Sequence, residues 1–170
     1  MKPAARSRFG YPMRALMLDY AGGGAGLVVT LGPLGFVPLA APVAWLLTAL
    51  AALFLVYFGR TVCRHLTHIE LDEAGIRVRG PAFSRPGAAI RWENLRLLRL
   101  EYYSTRADPE GRTMRGGWMQ LKLADAQRTI RIDSDLDGFD EVARRAAREA
   151  ARLGLVLEAS TLGNLQALGG

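Results

Sequence analysis

The sequence predicts an α+β chain, in which a two-helix transmembrane hairpin precedes a small antiparallel β-barrel or sheet capped by a C-terminal amphipathic helix. Three observations predict it. No charged residue occurs between Asp19 and Arg60, a run of 40 residues. From His68 to Ser134 apolar residues recur with a period of two, and from Asp137 the period becomes helical. These divide the chain into a basic segment at 1–13, the hairpin at 14–62, the β domain at 66–155 and a tail at 156–170.

At about 1.5 Å per residue the uncharged run makes roughly 60 Å of helix, twice the hydrocarbon thickness that one span crosses. Pro33, Pro38 and Pro42 punctuate it, so the chain turns between Gly32 and Pro42. The expected helices are 14–32 and 42–62. The second begins with proline in its first turn and ends with Tyr57 and Phe58 beside Arg60, an interface anchor. The first is short, and either extends back past Asp19 or continues through Pro33. The backward extension is favoured and sets Asp19 near the headgroups; the other reading of Asp19 is an intramembrane functional acid.

The net charge of +6 sits mostly around the run: +3 over residues 1–19, +2 from Arg60 and Arg64, and +1 over 67–170. That distribution argues against a nucleic-acid groove, which needs the excess on the folded domain. Basic residues near span ends favour the cytoplasmic side, so both termini are expected to be cytoplasmic, with the proline-rich turn on the far side of the membrane. Within the run, AGGGAG lacks the lysine and hydroxyl of a phosphate loop and follows no predicted strand. Gly22 and Gly26, with Thr30 beyond, are spaced to let helix backbones approach. Either the chain's own second helix or another protein can meet that face.

HIELDEAGIRVRG alternates around an acidic turn, with Ile69, Leu71, Ile76 and Val78 on one face. AAIRWENLRLLRLEYY continues through Ile90, Trp92, Leu95 and Leu97, then changes face at Leu98 and Leu100, which signals a bulge or break. WMQLKLADAQRTIRIDS forms another hairpin, with Met119, Leu121, Leu123, Ile130 and Ile132 inward. The intervening polar loop of about 14 residues is long for a hairpin connection. The last large helix begins near Asp137, with Phe139, Val142, Ala146, Ala150 and Leu153 on one face and Arg144, Arg145, Arg148 and Arg152 on the other. Asp137, Asp140 and Glu141 favour its start and Gly154 its end, and a short helix follows from Ser160 to Leu168.

Through IELDEAGIRVRG, IRWENLRLLRL, the pair LKLAD and RTIRIDS, and LDGFDEVARRAAREAARLGL, the chain resembles membrane-anchored bacterial pleckstrin-homology-like proteins. The resemblance implies about six antiparallel strands in a bent, partly closed barrel whose open end a helix covers. Eukaryotic relatives bind phosphoinositides with basic residues at the first hairpin loop. The corresponding turn here, Asp72 to Gly75, is acidic and departs from that pattern. The bacterial members imply an interaction module held at the membrane surface.

No catalytic constellation emerges. Cys63 is the single cysteine, which excludes an internal disulfide. His65 and His68 read as a juxtamembrane pair without a ligand role, and the acids from Asp133 to Glu141 as helix capping. The expectation is therefore a protein that is not an enzyme and takes no cofactor or metal. It docks to, or stabilises, a partner protein or membrane complex, with self-association left open. The alternative is an anionic-lipid sensor. Candidate contacts for either are Tyr102, Tyr103, Arg106, Arg112, Arg115, Arg144 and Arg148.

Overall fold

The computed structural model describes residues 7–81, 87–104 and 117–168, which form two compact units. Tyr11–Thr67 is one; Ser7–Gly10 together with the residues from His68 onward is the other.

The first unit is a helical hairpin of α1 (Met13–Phe36) and α2 (Ala41–His65), both long and apolar enough to cross a membrane by length and composition. The helix α1 reaches back past Asp19 to Met13 and also runs through Pro33, beyond the expected end at Gly32. A proline in the last turn forgoes a single ladder bond and already holds a helical φ. The ladder then resumes, the Val37 N–H donating to the Pro33 carbonyl at 3.0 Å. Pro42 lies in the first turn of α2, and Arg64 and His65 extend its last turn past the expected 62. Leu18, Val29, Phe36, Trp45, Leu53 and Val56 are exposed on the outside of this unit.

Among the described residues the second unit holds seven antiparallel strands, one more than expected. A sheet of β1 (Ser7–Gly10), β2 (His68–Leu71), β3 (Gly75–Arg79) and β4 (Ala89–Arg91) runs in that order. A second contains β5 (Leu97–Ser104), β6 (Gly117–Ala124) and β7 (Thr129–Asp133). The additional strand is β1, drawn from the basic N-terminal segment. It pairs with β2 from Ser7↔Leu71 to Gly10↔His68, so the whole hairpin is an insertion between two adjacent strands. A four-residue strand whose partner follows the entire hairpin leaves no periodic signal.

The acidic turn between β2 and β3 is an Asx turn: the Asp72 carboxylate accepts the Ala74 and Gly75 N–H groups, each at 2.9 Å. Trp92, expected within a continuing strand, lies in a 3₁₀ turn at Trp92–Asn94, fully buried, its indole N–H donating to the Asp72 carbonyl at 3.0 Å. This turn is the break that the change of face requires. After it Leu98 and Leu100 point inward, beside Leu121, Leu123, Ile130 and Ile132.

Helix α3 (Phe139–Arg152) buries Phe139, Val142, Ala143, Ala146 and Ala150, whereas Leu153 is half-buried. Its N-cap is Gly138 at φ 74°, without a side-chain cap bond, so the expected aspartate capping gives way to a left-handed glycine. Asp140 and Glu141 still lie in the first turn, where the helix dipole favours them. Gly154, at φ 68°, ends the helix as expected. At the start of α3 the Asp137 N–H donates to the Gly10 carbonyl at 3.0 Å, which latches β1. Helix α4 (Ala159–Ala167) follows, one residue earlier than expected.

A Cβ at Gly138 would lie 2.5 Å from the Phe9 ring as well as straining the left-handed backbone. Gly138→Ala should therefore cost about 1–2 kcal/mol, read as an earlier denaturation midpoint in detergent micelles, with the loss of β1 protection seen first in amide exchange.

Candidate functional site

Two places carry polar or aromatic groups beyond the needs of a core, one in each unit. In the hairpin, α1 and α2 pack through glycines. A Cβ at Gly26 would lie 2.3 Å from the Phe54 ring, and one at Gly23 would lie 3.2 Å from Tyr57 and 3.3 Å from Phe58. Thr30 is buried and its hydroxyl donates back to the Gly26 carbonyl at 2.7 Å. The position of Gly22 opens onto empty space. The stripe that meets α2 is therefore Gly23 and Gly26, continuing to buried Thr30, and Gly22 lies off it. Leu16, Gly23 and Thr30, all buried, are seven apart and share a face, while a shift of one residue turns a side chain by about 100°.

Beside this face Asp19 accepts the Tyr57 hydroxyl at 2.8 Å and lies 3.9 Å from the Arg64 guanidinium. That guanidinium sits 4.8 Å from the centre of the buried Tyr11 ring. Tyr20 bonds His65 Nδ1 at 3.2 Å and meets Phe58 edge-on at 5.4 Å. Asp19 thus has a donor and a cation at hand, an arrangement that aligns two helices. Among the described residues no group of three histidine, cysteine or acidic side chains could hold a metal ion.

In the second unit, Tyr103 and Trp118 are directly opposite across β5 and β6. Their rings stack 4.5 Å apart at 19°, with 40% and 37% of each residue exposed. The Tyr103 hydroxyl donates to Glu101 at 2.5 Å. That bond, with the charges of Arg99 and Lys122, holds the Glu101 carboxyl below the usual range; the same bond raises the Tyr103 phenol. Tyr102 points to the opposite face, its hydroxyl buried and without a partner among the described residues. The two adjacent tyrosines therefore do not form one surface.

Arg106, Arg112 and Arg115 lie outside the described residues. Arg144 bonds the Leu168 carbonyl at 2.7 Å and lies 3.9 Å from Asp140. Arg145 and Arg152 flank the buried carboxylate of Glu149 at 3.0 and 2.8 Å, and Arg148 is exposed. The helix face is thus ion-paired through Asp140 and Glu149. Sequence reasoning missed Trp118 as the partner of Tyr103, a pairing that only the strand register discloses. Comparison with known protein families, with curated proteins and with solved structures gives no match.

Gly26→Ile should destabilise the hairpin by about 2 kcal/mol, whereas Gly22→Ile should stay within about 0.5 kcal/mol; disulfide trapping between α1 and α2 across a denaturant series reads the difference. Equal effects would place Gly22 on the packing face after all.

Glu101→Gln should lower the pH at which Tyr103 ionises, followed as tyrosinate absorbance against a Tyr103→Phe control. Because the folded phenol is raised, its contribution to stability is complete below the ordinary tyrosine value and lost as pH rises through the folded one. An unchanged titration would mean that the Tyr103–Glu101 bond does not persist in solution.

Proposed function

We propose that the chain is an inner-membrane-anchored, pleckstrin-homology-like module that docks to or stabilises a partner protein or complex at the cytoplasmic face, without catalysis of its own. The observation that carries this reading is the pairing of Ser7–Gly10 with His68–Leu71. Two segments of one sheet must lie on the same side of a bilayer, so a chain that enters the membrane between them crosses it an even number of times. The basic residues on both flanks favour the cytoplasm as that side. Sheets of four and three antiparallel strands followed by α3 agree with the bent barrel and covering helix that the resemblance implies.

Docking is assigned to the Tyr103–Trp118 stack, because rigid aromatics left half-exposed on a sheet are economical anchors for a protein partner. The lipid-sensor reading is weaker. Arg144, Arg145 and Arg152 are engaged by acids on their own helix, and the turn at Asp72–Gly75 is acidic.

Single cysteines at positions 35–40, in a Cys63→Ser background, should react with an impermeant thiol reagent added outside intact cells, while one at Ser160 should react only after lysis. A Ser160 cysteine labelled from outside would refute the topology. A photo-crosslinking residue in place of Tyr103 should then give a protein adduct of discrete mass in native membranes; adducts to lipid alone would favour the sensor.

A further inference from the structure

Strand β5 is the outer strand of its sheet, and the way its edge is covered points to a second occupant. Alternation along an antiparallel strand turns the backbone groups of Leu98, Leu100 and Tyr102 away from β6. At Leu100 both groups are met by side chains of α4. The N–H donates to the Thr161 hydroxyl at 3.2 Å, and the carbonyl accepts the Asn164 amide at 2.7 Å. Thr161 is fully buried by this contact. Glu158, the residue just before α4, pairs with Arg99 next door on β5. The helix therefore supplies an acceptor, a donor and a carboxylate in the places where a neighbouring strand would supply them.

We propose that α4 is an intramolecular stand-in for β5 of a second copy of this chain, and that its release lets two copies pair edge to edge through β5. The sequence of β5 is self-complementary about Leu100. A two-fold axis through that residue makes Leu100 a hydrogen-bonded pair with its counterpart and Leu98 one with Tyr102 of the other copy. Arg99 of each copy then stands opposite Glu101 of the other, twice, in the closer non-hydrogen-bonded pairing. Opposite charges coincide at both positions, and the two three-stranded sheets become one of six. The cover is small: α4 has nine residues, includes a glycine, and leaves Leu162 half-exposed. A helix of that length has little stability apart from its contacts. This inference is independent of the docking partner proposed above.

The test uses the whole chain in detergent micelles, with Cys63→Ser, compared with a chain ending at Leu157 and with the full-length double variant Thr161→Val, Asn164→Leu. Copies carrying Arg99→Cys are mixed with copies carrying Glu101→Cys, which leaves one Arg–Glu pair intact in each mixed dimer. A disulfide between the two should form in the shortened chain and in the double variant, and at least roughly tenfold more slowly in the intact chain. Without the cysteines, Arg99→Glu in the shortened chain should weaken the dimer by roughly tenfold, and adding Glu101→Arg should restore it. Near-ultraviolet circular dichroism of buried Trp92 reports whether each variant is folded; the double variant decides if the shortened chain is not. No cross-link in a folded variant, or dimerisation indifferent to the charge exchange, would overturn the proposal.

Discussion

The pairing of β1 with β2 is the constraint on which the remainder of the structure depends, because it closes a sheet across all of Tyr11–Thr67. Closing a flexible loop that long costs entropy that grows with its length, and a four-residue strand returns few hydrogen bonds against it. The cost falls because the insertion is not flexible. Two antiparallel helices of 24 and 25 residues bring their own ends back together, so packing α1 on α2 does most of the closure in advance. Asp137 and Phe9 then secure β1, the first through the Gly10 carbonyl and the second against the left-handed turn at Gly138.

Within the hairpin, close approach and polar alignment are divided between neighbouring turns. Gly23 and Gly26 admit the rings of Tyr57, Phe58 and Phe54, where any side chain would hold the backbones apart. One turn away, Asp19 is met by Tyr57 and Arg64, and Tyr20 by His65. Interhelical hydrogen bonds of this kind contribute about 0.6–2 kcal/mol, modest singly, but they select one register where apolar packing alone tolerates several. Tyr57 takes part in both functions, its ring against Gly23 and its hydroxyl on Asp19.

The strand edges of the second unit follow a related economy. An uncovered edge is a template for another chain, and proteins conceal or blunt it. On β5 the concealment is by side chains of a short helix and not by a strand, and these side chains meet the backbone at Leu100. The odd-numbered residues of the same strand carry Arg99, Glu101 and Tyr103 on the outward face, and register brings Trp118 to Tyr103.

The amino-acid sequence by itself determined which stretches are apolar and with what period. The uncharged run, the alternation through Ile69 to Ile132 and the helical spacing of Phe139 to Ala150 were enough for two long helices, antiparallel sheets and a C-terminal helix, since burial of periodic apolar faces is a local property. The glycine-rich segment was legible as a packing surface, but not its phase: Gly22 and Gly23 are equally small, and only the position of α2 distinguishes them. Tertiary structure alone decided the strand at Ser7–Gly10, the continuation of α1 through Pro33, the stack of Tyr103 on Trp118 and the grip of α4 on Leu100. Each joins residues distant in the chain or sets one small local cost against contacts made elsewhere, and such balances leave no period in a sequence.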